Sequence, residues 1–141
     1  MTKLTNLEKI KAAWAMGWSA VLEGYDKTGC VVASSLGCFY INWKDSPIQS
    51  LLIEDDSEYA DSFKITGYLY AGQLFGESKI PEGQRFRVRE SKYNEHIVGA
   101  IVSFKEKRRY AITVYCEEDC DAYSKGELLS LPFEELEPYF D

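Results

Sequence analysis

The sequence contains few of the residues and motifs from which catalytic sites are built. Its single histidine, His96, lies in a polar stretch, where a lone histidine is more often solvent-exposed than catalytic. The motifs H-E-x-x-H, G-x-S-x-G and G-x-G-x-x-G and the calcium loop do not occur. Residues 72–79 lack the Gly-Lys-Ser/Thr order of a phosphate loop and are interpreted as a hairpin turn. These absences favour a non-catalytic protein without a cofactor.

Long apolar runs are also absent. No stretch approaches the roughly 18–20 apolar residues that a membrane-spanning helix needs. The first ten residues include charged side chains and no apolar core of a secretory signal. We therefore expect a soluble, cytoplasmic protein without membrane contact.

Cysteines are few, and their spacing gives only weak support for a metal site. The chain has four cysteines, and in a reducing compartment these are expected to be mostly buried free thiols. Cys116 and Cys120 have the spacing of zinc ligands and are weak metal candidates. Cys30 and Cys38, the only other pair, are separated by seven residues, which is outside the usual spacing. The three acids at 117–119 are interpreted as a solvated loop.

The residues that are abundant indicate a folded, aromatic-rich β-protein. The 141 residues are 45% hydrophobic and 28% charged, which is typical of a globular chain. A chain of this length can bury a core without metal or disulfides. Aromatic residues make up 14% of the chain and include ten tyrosines, so the composition favours β-structure or an interaction surface.

The first predicted element is a helix that begins near Thr5. Thr5 and Glu8 form the S/T-x-x-E pattern of a capping box. Leu7, Ile10 and Trp14 then recur at helical spacing, Trp18 is a further candidate for the same stripe, and Gly17 is a suitable stop. The two tryptophans are predicted to anchor the core.

After this helix the hydrophobic period changes to two, which indicates β-strands. Turn residues separate many short strands at close spacing, a pattern typical of antiparallel sheet in a small barrel. The predicted fold class is therefore mainly β, with an N-terminal helix followed by antiparallel small-barrel units. The predicted strands are 19–23, 29–34, 39–43, 64–70, 85–89, 99–104, 110–116 and about 128–131.

A weak internal repeat relates the two halves of the chain at an offset of 70 residues. Residues 29–32 and Tyr40 match residues 99–102 and Tyr110. An apolar segment that ends in acids follows each hairpin, at 51–55 and at 131–135. Two interpretations stay open: a duplicated β-unit, divided into residues 1–60 and 61–141, or one merged domain.

The C-terminal half resembles a known superfold. It opens with Pro-Glu-Gly-Gln-Arg-Phe-Arg-Val-Arg, continues with the hairpin Gly-Ala-Ile-Val-Ser-Phe and Tyr-Ala-Ile-Thr-Val-Tyr, and ends with Leu-Pro-Phe-Glu-Glu-Leu-Glu. Residues 81–141 thus resemble an SH3-like small barrel of the Tudor or KOW kind. The resemblance implies a binding module for peptides, nucleic acids or other proteins, and it specifies no partner.

The charge is unevenly distributed along the chain. The net charge of −7 excludes a generally basic nucleic-acid binder. Residues 54–83 carry a net charge of −5, residues 84–109 carry +5, and residues 110–141 carry −8. This uneven distribution is compatible with a local anion-binding site, despite the negative net charge, and also suggests self-association.

The positive segment defines a candidate binding surface. Alternation along the strand places Arg85, Arg87 and Arg89 on one face, next to a charged hairpin turn. Arginine suits recognition of carboxylate or phosphate, although a solvated strand face with a protective hairpin tip is the alternative. The predicted basic corner comprises Arg85, Arg87, Arg89, Lys105, Lys107, Arg108 and Arg109.

An acidic patch supports a different function. It comprises Glu54, Asp55, Asp56, Glu58 and Asp61. Such a block is usually an exposed loop, but it can also imitate the charge of nucleic acid.

Three functions therefore remain as predictions. The first is a non-catalytic binding protein that recognises a protein or an anionic ligand. The second is an acidic inhibitor of the phage or mobile-element type, which antagonises a host nuclease or defence enzyme by nucleic-acid mimicry. The third is a nucleotide- or RNA-binding module.

Overall fold

The computed structural model describes residues 4–24, 26–33, 38–52, 57–72, 79–92, 95–119 and 123–140. The chain divides into two units, residues 1–78 and residues 79–140. Each unit contains one five-stranded antiparallel sheet, and a helix begins the first unit. The predicted fold class, mainly β with an N-terminal helix, is confirmed.

The first unit consists of helices α1 and α2 and strands β1 to β5. Its sheet has the strand order β4-β3-β2-β1-β5, and every neighbouring pair is antiparallel. The elements are α1 (Asn6–Met16), β1 (Trp18–Gly24), β2 (Lys27–Ala33), β3 (Phe39–Trp43), β4 (Gln49–Leu52), α2 (Ser57–Asp61) and β5 (Lys64–Tyr70).

Helix α1 begins and ends where its local sequence predicts. The Thr5 hydroxyl accepts the backbone N–H of Glu8 at 3.2 Å, and the Glu8 carboxylate accepts the backbone N–H of Thr5 at 3.0 Å. Gly17 ends the helix with a φ of 109°, a left-handed conformation that costs glycine little. The buried face of α1, which includes Leu7 and Ile10, packs against β1.

The core of the first unit lies beneath the central strands. Trp18 and Leu22 of β1 are fully buried, as is Ile41 of β3. Gly29 of β2 lies against β3 so closely that an added Cβ would be 2.7 Å from the Ile41 side chain and 2.9 Å from the Trp43 ring. The sheet therefore requires glycine at this position for steric reasons.

The second unit repeats the strand connectivity of the first. Its sheet has the strand order β10-β6-β7-β8-β9. Short 3₁₀ turns lie at Glu95–Ile97 and Phe133–Glu135. The strands are β6 (Arg85–Val88), β7 (Ile101–Lys107), β8 (Ala111–Cys116), β9 (Leu128–Pro132) and β10 (Leu136–Pro138).

In both units four strands form a meander, and the fifth strand returns to pair with the first. A short helical segment precedes the fifth strand in each case, α2 before β5 and the 3₁₀ turn Phe133–Glu135 before β10. This shared order fits the duplication that the 70-residue repeat suggests.

The boundary between the units differs from the predicted one after residue 60. Strand β5 pairs with β1 from Trp18 opposite Tyr70 to Glu23 opposite Lys64, so it belongs to the first unit. The division therefore follows residue 78. Most of the predicted hairpin turn at 72–79 lies outside the described residues.

Two strands were not predicted from the sequence, and several strand ends differ from the prediction by one to three residues. Strands β4 and β10 have only four and three residues, too few for a clear alternation. Strand β7 begins two residues later than predicted, because Gly99 adopts a φ of 91° and the N–H of Ala100 bonds to the Ile97 carbonyl. It then continues to Lys107, where the hairpin turn begins.

We expect Gly29→Ala to lower the free energy of unfolding of the first unit by about 2 kcal/mol, because the new methyl group collides with β3. Thr28→Ala, at the exposed neighbouring position, is the control and changes stability by less than about 0.5 kcal/mol. All three tryptophans lie in the first unit, so tryptophan fluorescence during urea unfolding measures this unit. Equal urea midpoints for the two variants would contradict the close packing of Gly29 against β3.

The capping box also predicts a pH dependence. Hydrogen bonds from the Thr5 backbone and hydroxyl groups lower the pKa of Glu8 below its ordinary value of 4.5. The ionised carboxylate therefore stabilises the folded state above that value, and this contribution is lost as the pH falls through the lowered pKa. Between about pH 6 and about pH 3, the urea midpoint of wild type should fall further than that of Glu8→Gln, whose amide does not titrate in this range. If the urea midpoints of the two proteins fall by the same amount between these pH values, Glu8 does not have this role.

Candidate functional site

Strand β6 presents its arginines on one face, as the alternation predicts. Phe86 and Val88 are buried, while Arg85, Arg87 and Arg89 lie on the opposite face. Arg85 is opposite Ser103 and Arg87 is opposite Ile101, so successive arginines lie further from the β7–β8 turn. The structure therefore does not gather the seven predicted cations into one corner.

Each strand arginine is bound by an acidic partner within the second unit. The Nε of Arg85 donates to Glu117 at 3.1 Å, and Glu117 also accepts the hydroxyl of Ser103. The Nε of Arg87 donates at 2.9 Å to Glu137, which lies directly opposite it on β10. These two guanidinium charges are neutralised within the fold.

Arg89 has a similar arrangement at the end of β6. Its Nη2 lies 3.0 Å from the Glu90 carboxylate and donates to the Glu134 carbonyl at 3.1 Å. Its Nε is buried without a hydrogen-bond partner. This arginine therefore connects β6 to the 3₁₀ turn before β10, and its contacts are structural.

The remaining predicted cations lie in the β7–β8 hairpin, at a surface that we call the tip, residues 105–110. The backbone N–H of Arg108 bonds to the Ala111 carbonyl at 2.9 Å and closes the turn. Arg108 also donates from Nε to Thr113 at 3.0 Å and lies 3.6 Å from Glu106. The Lys107 ammonium lies over the Phe133 ring, at 6.0 Å from the ring centre.

Tyr110 is the most exposed large hydrophobic side chain among the described residues, with 75% of its surface accessible. The Arg109 guanidinium lies over its ring at 5.2 Å from the ring centre. Within the part of the chain that the structure describes, Lys105 and Arg109 form no ion pair. The tip has four cations and one acid, so it carries a net charge of +3 next to an exposed ring.

A groove lies at the other end of strands β7 and β8. It has a volume of about 370 Å³. Its acidic wall is formed by Glu117, Glu118 and Asp119, and Arg85 also lines it. His96 lies at its edge, with its ring parallel to Tyr123 at 6.1 Å.

A second part of the lining, the apolar wall, includes Val98 and Ile101. Val98 is 48% exposed. The sequence indicated the three acids only as a solvated loop, and Val98 carried no signal at all. Val98 directly follows the 3₁₀ turn Glu95–Ile97, and the alternation of the strands does not predict this turn.

The acidic patch is only partly covered by the described residues. Residues 54–56 and the side chain of Glu58 lie outside them. The Asp61 carboxylate accepts the backbone N–H of Asn6 at 3.0 Å and so holds the start of α1 against α2. Mimicry of nucleic acid by this patch stays a prediction.

The cysteines occupy three different environments. Cys116 is buried in β8, and Cys120 lies outside the described residues. Cys30 is half-buried, and burial raises the pKa of its thiol, while Cys38 is exposed. No three His, Cys, Asp or Glu side chains of the described ranges lie close enough together to hold a metal ion.

None of the helices in the described ranges has the length and apolar character needed to cross a membrane. Comparisons with protein-family models, curated proteins and solved structures found no significant match for the chain.

We expect Arg87→Ala to destabilise the second unit by about 2 kcal/mol, because Glu137 is only 4% exposed and loses its guanidinium partner. Arg109→Ala, which removes a cation without an ion pair, should change stability by less than about 0.5 kcal/mol. Urea unfolding followed by far-UV circular dichroism measures both variants. The double variant Arg87→Met/Glu137→Leu should recover most of the loss, since no buried charge remains. Equal effects of the two single variants would show that the ion pair is not structural.

Proposed function

We propose that this chain is a non-catalytic binding protein whose second unit contacts an anionic partner through the tip. The observation that carries the proposal is the contrast between two sets of cations. The strand arginines are bound by carboxylates of their own unit. The tip instead presents Lys105 and Arg109 beside an exposed tyrosine.

The chemistry of the tip suits recognition of carboxylates. An arginine that lies over an aromatic ring keeps its planar donors oriented, so less freedom is lost when it binds an anion. Tyrosine contributes a large contact area with only two side-chain torsions and is enriched in protein interfaces. Arg108, held by Thr113, stiffens the turn from which both side chains extend.

We further propose that both units are SH3-like small barrels. The support is their connectivity, in which the fifth strand pairs with the first and a short helical segment precedes it. Barrels of this kind are binding modules, which agrees with a non-catalytic role.

The charge distribution favours an acidic protein surface over nucleic acid as the partner. The chain carries a net charge of −7, and residues 110–141 alone carry −8, so an extended polyanion is repelled by much of the surface. A small acidic patch on a protein meets only the local +3 of the tip, because salt screens charges beyond about 8–10 Å. Nucleotide or RNA binding is the alternative outcome of the test below.

Fluorescence anisotropy with two labelled probes tests the proposal: a short peptide with about three adjacent glutamates, which stands for a small acidic patch, and a single-stranded oligonucleotide of about ten nucleotides, which is an extended polyanion. Wild type should bind the peptide more tightly than the oligonucleotide, with an affinity that falls as salt rises. Lys105→Ser/Arg109→Ser should weaken peptide binding by about tenfold, equivalent to about 1.4 kcal/mol.

The control is Lys44→Ser/Lys64→Ser, which removes the same charge from exposed positions in the first unit. It should bind the peptide as wild type does. Equal losses in the two double variants would show that only net charge matters and would overturn the role of the tip. Tighter binding of the oligonucleotide would replace the protein partner with nucleic acid.

A further inference from the structure

The tip and the groove are at opposite ends of the same pair of strands. The tip follows β7 and precedes β8, whereas the acids of the groove follow Cys116, the last residue of β8. The apolar wall of the groove is formed by residues just before β7, such as Val98, and by Ile101, the first residue of β7. The hairpin therefore has a cationic, aromatic end and an acidic, partly apolar end.

The two ends are complementary in charge and in chemistry. Arg85 and the three acids that line the groove sum to a net charge of −2, against +3 at the tip. Glu118 and Asp119 supply carboxylates for a guanidinium or ammonium group. Val98, 48% exposed, offers an apolar contact for a tyrosine ring. A groove of about 370 Å³ has room for side chains of this size.

One molecule cannot bring its own tip into its own groove. Strand β8 has six residues and extends by about 3.3 Å per residue, so it holds the two surfaces about 20 Å apart. The complementary surface must therefore be supplied by another molecule.

We propose that the tip of one copy of this chain docks in the groove of a second copy, with Arg109 and Lys105 facing Glu118 and Asp119 and with Tyr110 on Val98. This inference rests on the proposed function, because it takes the tip as the contact surface. The contact is heterologous and leaves a free tip on one copy and a free groove on the other, so it builds open chains or closed rings.

Sedimentation velocity at about 20 mM and about 500 mM salt tests the inference, because salt screens exposed charges at the higher concentration. The sedimentation coefficient of wild type should rise with protein concentration at low salt and return to the monomer value at high salt. Lys105→Glu/Arg109→Glu should remain monomeric, and so should Glu118→Lys/Asp119→Lys. An equimolar mixture of the two variants should associate again, since the wild-type tip of the groove variant meets the wild-type groove of the tip variant.

The matched control is Lys44→Glu/Lys64→Glu, which makes the same change in net charge in the first unit and should associate as wild type does. A wild type that is monomeric at low salt, or a mixture that does not associate, would overturn the inference.

A cross-linking measurement on the wild-type chain tests the same contact without any variant, so it does not depend on whether the variants fold. Zero-length carbodiimide cross-linking of a mixture of ¹⁴N- and ¹⁵N-labelled protein should join Lys105 to Glu118 or Asp119, with one residue from each isotope. Cross-links within a single isotope only, or none at the tip, would count against docking.

The failures of the two proposals are distinguishable. If wild type is monomeric but binds the glutamate peptide through the tip, the proposed function holds and only self-association fails. If the copies associate but the peptide does not bind, the tip recognises the shaped groove and not acidic surfaces in general.

Discussion

The pairing of the last strand with the first strand decides the chemistry of the second unit. Because β10 returns to the edge of β6, the buried Glu137 lies directly opposite Arg87 and forms an ion pair with its exposed guanidinium. The same return brings the carbonyl of Glu134 to Arg89. The acidic segment 110–141 therefore pairs with arginines of the basic segment 84–109. Among the residues of the basic segment that the structure describes, the cations that remain without an ion pair are concentrated at the β7–β8 turn.

The two units use one connectivity for different surfaces. In the first unit the face of the sheet against α1 forms a large aromatic core around Trp18, with Trp43 5.5 Å from Phe63. In the second unit the face that bears the arginines is polar, and Ser103 and Thr113 on it are buried beneath long charged side chains. A strand order that is repeated along the chain thus does not imply a repeated function, because function depends on the side chains that each face presents.

Local features of the sequence predicted much of the fold. The capping box at Thr5 and Glu8 placed the helix, and alternation placed β3 and β5 with the bounds that the structure has. Strands β4 and β10 were missed because they are held by their neighbours and have too few residues for a periodic signal. The predicted boundary after residue 60 separates β5 from β1, with which β5 pairs. The two strands are about 45 residues apart along the chain, so their pairing leaves no local signal.

The helix, the alternating faces and the basic segment between acidic ones follow from the sequence, because these features depend on residues close together along the chain. Which cations form ion pairs depends on the tertiary structure. Arg85 meets Glu117 across 32 positions and Arg87 meets Glu137 across 50, whereas Lys105 and Arg109 meet no carboxylate in the described part of the chain. Ion pairs form where strand register brings opposite charges within about 4 Å, and register is a property of the folded sheet.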